Sequence, residues 1–313
     1  MKKYILIAGA LLVLGAGAWF SYRKASRRST LEKLDLNFSV TDTASIDRIL
    51  IEPVGGKNAD LRRTKNQGWI LNGKYRVAPV LMDVLLTTIR NVEMLRSLSP
   101  GEAQTALESF QKRGRKVQIF VNGSFYKSYL LGDDAPANKG TYMQLENGDP
   151  YVAYLRGFNG FLSPRYDVRE NDWRDHLLLS CAPEQIQEIK LSYKRFPQEN
   201  IHLAVTGKKL QLIGSSRFDT AAAMRIFNSF RQVYFEKVLD GIPQKALDSL
   251  RAAGGEYSIE ISSAADACSR TLQLYFTNDE GRSIAFIPQT NEWFTIQNQN
   301  LTPILQRKSS LLD

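Results

Sequence analysis

The sequence predicts an α+β fold: two tandem units, each an antiparallel β-sheet with a helix packed on one face, behind one N-terminal transmembrane helix. Three observations predict it. First, the second half echoes the first at an offset of about 140 residues: Ile46-Asp47-Arg48-Ile49 returns as Ile186-Gln187-Glu188-Ile189, and Tyr151-Val152-Ala153-Tyr154 as Trp293-Phe294-Thr295-Ile296. Second, stretches of period-two alternation outnumber stretches of helical spacing, and the turns between them are short, which favours antiparallel strands over crossover units. Third, Tyr4 to Phe20 carries no charge over 17 residues.

Taken in order, Ser45–Glu52 alternates as a strand through Ile46, Ile49 and Ile51, and Gly55-Gly56 ends it in a turn. Asp60–Lys65 and Gly68–Leu71 are the next strands. Pro79 suits the first turn of a helix, where its missing N–H costs nothing. Val80, Leu81, Val84, Leu85, Val92 and Leu95 then fall at helical spacing, which predicts an amphipathic helix over Pro79–Leu95. A short helix is expected over Gly101–Phe110. Lys116–Val121 and Phe125–Leu131 flank Asn122-Gly123, a strong hairpin signal because both residues tolerate positive φ. Thr141–Leu145 and Tyr151–Leu155 form another hairpin around Asn147-Gly148-Asp149-Pro150.

The second unit runs the same course. Strands are expected at Ile186–Tyr193, Ile201–Thr206 and Lys209–Ile213, then a helix capped by Asp219 or Thr220 and running to about Val233. Its apolar positions Phe218, Ile226, Phe230 and Val233 echo Val77, Leu85, Ile89 and Val92. Tyr257–Ser262, Thr271–Thr277, Arg282–Ile287 and Glu292–Ile296 complete it. The expected divisions are therefore 1–28 as anchor with basic flanks, 29–180 as the first unit and 181–313 as the second. Ser26 to Thr43 reads as a polar linker or the lead into the first strand.

The net charge of +9 belongs mostly to the ends of the apolar run. Lys2, Lys3, Arg23, Lys24, Arg27 and Arg28 flank it with no acid before residue 30, leaving +3 for everything else. That is no basic stripe, so nucleic acid is not an expected partner. Arg113, Arg115 and Lys116 read as a solvated loop. Tyr4–Phe20 reaches ~25 Å as a helix, just enough to span a bilayer, with Trp19, Phe20 and Tyr22 at one end as interfacial aromatics. Ala16-Gly17-Ala18 offers the competing reading of a cleaved signal peptide, but Trp19 and four basic residues would then begin the mature chain. The uncleaved anchor is the reading adopted, with membrane lipid as its partner and the body outside the inner membrane. Cys181 and Cys268 either pair, as an oxidising compartment would permit, or stand as two small apolar residues. With His176 and His202 they match no metal-ligand spacing.

The chain resembles a bacterial family, the domain of unknown function numbered 4340. The resemblance rests on Ser45-Ile46-Asp47-Arg48-Ile49, Gly68-Trp69-Ile70-Leu71, Leu131-Gly132-Asp133-Asp134, Gly140-Thr141-Tyr142-Met143-Gln144-Leu145, Tyr151-Val152-Ala153-Tyr154 and Trp173-Arg174-Asp175. It covers mainly residues 45–180. Where the family often has a Tyr-Gly-Leu-Asp-Pro-like segment, this chain has Phe110-Gln111-Lys112-Arg113-Gly114. The resemblance implies a single-pass, membrane-anchored protein, sometimes encoded beside ABC-type transporters of the gliding-motility or auxiliary kind. It carries over no catalytic residue.

No stretch matches a phosphate loop, a dinucleotide fingerprint or a nucleophile elbow. Asp133-Asp134 could bind a cation or act as acid and base, but a solvated turn explains them as well. In Trp173-Arg174-Asp175-His176, an Arg174–Asp175 ion pair beside a buried Trp173 is the expected arrangement. Trp69, Tyr142, Tyr154, Trp293 and Phe294 read as sheet packing. Tyr126, Tyr129, Tyr142, Tyr151 and Tyr154 could instead line an exposed face for a protein partner. No catalytic, cofactor or metal site is expected. The functional expectation is a non-enzymatic membrane-anchored accessory or scaffold protein of the bacterial cell envelope, partnering an ABC-type transporter complex. The alternatives are a ligand-binding module using the groove between the repeats, or an envelope hydrolase acting through Asp133 or Asp134.

Overall fold

The computed structural model describes residues 37–312 except 137–139, 208, 265–267, 278 and 280. The expected membrane span Tyr4–Phe20 lies outside the described residues. Among those described, no helix is long and apolar enough to cross a membrane. The chain is α+β, and every strand pairing is antiparallel. It divides into two compact units, the first ending at Trp173 and the second beginning at Arg174. The division falls earlier than the one expected at 180, because Leu177–Leu179 pairs with Val233–Tyr234 and so belongs to the second unit.

The first unit contains β1 (Ile46–Pro53), β2 (Ala59–Thr64), β3 (Gly68–Leu71), β4 (Tyr75–Arg76), α1 (Pro79–Asn91), β5 (Val92–Ser97), α2 (Pro100–Arg113), β6 (Arg115–Val121), β7 (Ser124–Asp134), β8 (Thr141–Leu145), β9 (Pro150–Leu155) and α3 (Glu170–Trp173). Its strands form one sheet in the order β4-β3-β2-β1-β6-β7-β8-β9-β5. The second unit contains β10 (Leu177–Leu179), β11 (Ile186–Tyr193), β12 (Ile201–Thr206), β13 (Lys209–Leu212), α4 (Thr220–Ser229), β14 (Val233–Tyr234), β15 (Lys237–Val238), α5 (Gln244–Ala253), β16 (Tyr257–Ser263), β17 (Arg270–Phe276), β18 (Arg282–Ile287), β19 (Glu292–Gln297) and α6 (Asn298–Leu301). Its main sheet runs β13-β12-β11-β16-β17-β18-β19-β15.

Alternation along the strands decides which side of each sheet is core. In the first unit Ile49, Ile51, Leu61, Val117, Ile119, Tyr129, Leu131 and Met143 share one face with Met82, Leu85 and Ile89 of α1. Each such side chain gains about 1.5–3 kcal/mol by leaving water. In the second unit Ile189, Leu191, Ile259, Ile261, Leu272 and Leu274 do the same with Ala223, Ile226 and Phe227 of α4. Asp219 caps α4, its side chain accepting from the Ala222 N–H at 2.9 Å.

Four expectations need correction. The helix predicted to Leu95 ends at Asn91, and Val92–Ser97 is the edge strand β5 on β9. A register shift between Met94 and Arg96 breaks its period of two, so Val92 and Leu95 mimic helical spacing. Two residues of the expected apolar stripe, Val80 and Val84, are exposed; Met82, Leu85, Thr88 and Ile89 are the buried set. Each sheet has a helix on both faces, not one. Ala106 and Phe110 of α2 pack on Tyr142 and Val152 of the face opposite α1. Leu247 and Leu250 of α5 pack on Tyr275, Phe286 and Trp293. The polar lead is also partly core: Phe38 and Val40 are buried, and the Val40 N–H donates to the Ile89 carbonyl at 3.0 Å.

The two units tie off their ends with matching backbone hydrogen bonds. Val40 N–H to Ile89 carbonyl is matched by Cys181 N–H to Phe230 carbonyl, both 3.0 Å. Val54 to Gly114 is matched by Lys194 to Glu256, Asn122 to Ser45 by Ala264 to Gln185, and Ala78 to Trp173 by Asp219 to Leu311. Both leading strands carry a register shift at the same point, between Ile46 and Arg48 in β1 and between Ile186 and Glu188 in β11.

Candidate functional site

The residues that looked chemical in the sequence are engaged in holding the fold. Asp133 pairs with Arg113, and its backbone N–H is held by the Ser109 hydroxyl at 3.2 Å. Asp134 accepts from the Thr141 hydroxyl at 2.9 Å and the Ser163 hydroxyl at 2.7 Å, closing the loop after β7. Arg174 pairs with Glu292 at 2.9 Å, and Asp175 accepts from the Leu177 N–H. Trp173 is buried as expected, its indole donating to the Asp167 carbonyl at 3.1 Å. His176 stacks on Phe235 with ring centres 4.7 Å apart. Arg113, Arg115 and Lys116 are no loop: they span the end of α2 and the start of β6, and Arg115 pairs with Asp167 at 3.2 Å.

The tyrosine face does not assemble either. Tyr129 lies in the core with its hydroxyl 3.0 Å from that of Tyr166, and burial pushes both pKa values up. Tyr142 is covered by α2. Tyr154 is half-buried and donates to Glu93 at 3.2 Å. Of that set only Tyr126 is exposed, beside exposed Phe125 in the β6–β7 hairpin.

What remains is the part of each sheet's outer face that its second helix leaves open. In the first unit α2 lies over β7 and β9. Beyond it Asp60 and Arg62 on β2, Arg48 and Leu50 on β1, and Lys116, Gln118 and Phe120 on β6 alternate with the core residues and so point outward. In register across the strands, Arg62 stands opposite Arg48, and Arg48 opposite Phe120. Two like charges side by side would destabilise the sheet. Asp60 resolves this diagonally, taking Arg48 at 2.7 Å and Arg62 at 2.9 Å. Burial pushes the Asp60 pKa up, but the two arginines outweigh it and hold the carboxyl below the usual range. The Arg48 guanidinium also lies 4.9 Å from the Phe120 ring centre. A shallow pocket of ≈ 190 Å³ borders the same face at Lys116, Ser128, Leu130 and Gln144.

The second unit places its own charges at the same sheet positions. Glu188 stands opposite Ala204, and Lys190 opposite His202. The diagonal neighbours Glu188 and His202 are hydrogen-bonded, and Lys190 reaches Glu188 at 3.2 Å. The His202 hydrogen bond, helped by Lys190 against burial, holds Glu188 below its ordinary pKa. The diagonal is therefore Arg-to-Asp in one unit and Glu-to-His in the other. Sequence alternation marks all these residues as outward-facing, but only the register makes them neighbours. Among the described residues, no group of three or more His, Cys, Asp or Glu side chains is arranged to hold a metal.

No family model, no curated protein and no solved structure matches the chain.

Proposed function

We propose that this protein is a membrane-anchored accessory or scaffold protein of the bacterial cell envelope, built from tandem copies of one α+β frame, and that its open sheet faces receive a protein partner. The observation that carries the reading is the pair of open outer faces. Each combines half-buried apolar or small side chains with pre-paired charges, the composition of a surface that can be covered by protein without stranding an ion. The matching hydrogen bonds and register shifts support the tandem relation. The apolar run Tyr4–Phe20 supports single-pass anchoring in the inner membrane. The Cys181–Cys268 disulfide, with Cα atoms 5.5 Å apart, supports a body on the oxidising, periplasmic side. An ABC-type transporter complex is the partner class that the resemblance to family 4340 suggests.

The test is brief crosslinking of the full chain in native membranes, with mass spectrometry of both partners and crosslink positions. Gln118→Arg and Glu260→Arg place a bulky charge on each open face without touching the core. The reading expects a stoichiometric membrane protein crosslinked through these faces and lost in the variants. Recovery of the chain alone, or of the same partner undiminished by both substitutions, rejects it.

A further inference from the structure

The β6–β7 hairpin of the first unit has a hydrogen-bonded turn and ends in exposed aromatics. Its turn uses Asn122 at φ 51° and Gly123 at φ 76°, a left-handed pair that twists with the strands. The Asp47 carboxylate accepts from the Gly123 N–H, and the Asn122 N–H donates to the Ser45 carbonyl. The turn is thus fastened at both residues. Directly after it Phe125 and Tyr126 are 53% and 54% exposed, an unusual cost for two adjacent aromatics beside a fastened turn. Phe120 braces Phe125 edge-on, with ring centres 6.0 Å apart.

The surroundings of the tip specify what it faces. The strand directions bring the β2–β3 turn to the same end of the sheet. Since Arg62 is level with Arg48 and Arg48 with Phe120, exposed Arg62, Arg63 and Lys65 stand level with the tip. They lie three strands away, about 15 Å. The acidic β8–β9 turn, Glu146 to Asp149, points the same way but is set back. Leu145 pairs with Tyr129, four residues below Phe125, which is about 13 Å. Two acids lie at this end beside the tip, Asp42 in the pocket next to Tyr126 and Asp47 engaged by the Gly123 N–H. The other protruding groups are aromatic and basic, and the acidic β8–β9 turn is recessed.

The chain also enters the described fold here. The Lys127 ammonium, just below Tyr126, donates to the carbonyls of Asn37 and, at 3.0 Å, Ser39. A pocket of ≈ 400 Å³ lies between this incoming segment and the hairpin, lined by Asn37, Ser39, Asp42, Ser45 and Tyr126. Sixteen residues separate Asn37 from Phe20, the end of the apolar run, and Arg23, Lys24, Arg27 and Arg28 fall within them.

We infer that this end of the first unit is a bilayer contact: Phe125 and Tyr126 seat at headgroup level, with Arg62, Arg63 and Lys65 over anionic lipid. Aromatic side chains favour that depth, and each basic residue near an anionic leaflet adds attraction. The inference rests on the anchoring reading above. The β16–β17 connection of the second unit holds Cys268 in a disulfide and offers no aromatic equivalent among the described residues, so this contact belongs to the first unit alone.

The experiment places p-benzoylphenylalanine at position 125, and separately at exposed position 80, in the full chain in native membranes. After irradiation, phospholipid adducts and protein adducts are quantified for chain that sediments with membranes. About tenfold more lipid adduct at 125 than at 80 is expected, reduced when Arg62, Arg63 and Lys65 are replaced by Gln. Equal lipid adduct at both positions, or chiefly protein adduct at 125, overturns the contact while leaving the anchor intact. A chain found wholly in the soluble fraction overturns the anchor and the contact together.

Discussion

Each unit fastens the hairpin beside its leading strand, and the two do so by different chemistry. In the first, one carboxylate, Asp47, holds the tight Asn122-Gly123 turn beside the leading strand. In the second, the connection between β16 and β17 is longer and is held by the Cys181–Cys268 disulfide, which closes a separation of 87 residues. The charge diagonals differ in the same spirit: Arg48 with Asp60 on one sheet, Glu188 with His202 on the other. Backbone hydrogen bonds and register match between the units, whereas side-chain locks and surface charges do not. Alternation and strand pairing thus specify each sheet, while the side-chain locks at this corner differ between the units.

That comparison can be broken most forcefully at the cores. Phe227→Ala in α4 removes a side chain only 1% exposed and is expected to cost the second unit about 3–5 kcal/mol. Hydrogen exchange mapped by unit should show the loss in the second unit with the first unit's core amides unchanged. Equal loss in both would mean that they do not fold as separate cores. Next comes the covalent lock. Replacing both Cys181 and Cys268 by Ala should lower the second unit's stability by about 2–5 kcal/mol in denaturant unfolding and leave the first unit's transition in place.

The non-covalent lock should weigh less. Asp47→Ala is expected to cost about 1–2 kcal/mol, seen as faster exchange of the Gly123 amide, because that turn donor loses its acceptor. A change of the second unit's exchange pattern would contradict the separation of the two corners. Helix capping gives a similar contrast. Asp219→Ala should destabilise α4 by ~1 kcal/mol, whereas α1 begins at Ala78 with no side-chain cap to lose.

The smallest expected effect is in the titration of Glu102, at the start of α2. Its pKa is held at about 2, chiefly by the hydrogen bond from Arg96 and then by Ser99 of the capping box. Since the folded value lies below the unfolded one, its contribution is complete above the ordinary carboxylate pKa and fades as pH falls toward 2. Arg96→Ala should move the Glu102 midpoint up in an NMR titration. An unmoved midpoint would transfer the effect to the cap.

Much of this fold is legible in the sequence because its signals are local. The alternation through Ile46, Ile49 and Ile51, the Asn122-Gly123 turn, Pro79 at a helix start and Asp219 at a cap each fix their element within a few residues. The misses have physical causes too. β5 hides because its register shift makes Val92 and Leu95 look helical. α5 hides because only Leu247 and Leu250 anchor it to Tyr275, Phe286 and Trp293, too few positions to form a stripe. The outer-face diagonals are visible as outward residues, but pairing Arg48 with Asp60 requires the register of β1 on β2. The aromatic hairpin end was partly legible through Tyr126. What concealed it was that Tyr129, at the core parity of the same strand, turns inward.

The central claim is that a membrane-anchored frame presents its open sheet faces to a protein partner. The most direct measurement is crosslinking mass spectrometry of the full chain in native membranes, comparing the unaltered protein with the Gln118→Arg, Glu260→Arg double variant. The account predicts a stoichiometric membrane partner whose crosslinks fall on β1, β2 and β6 or on β11, β12 and β16, and which the variant fails to retain. A chain recovered without a partner, or one whose crosslinks fall elsewhere and survive both substitutions, would contradict it.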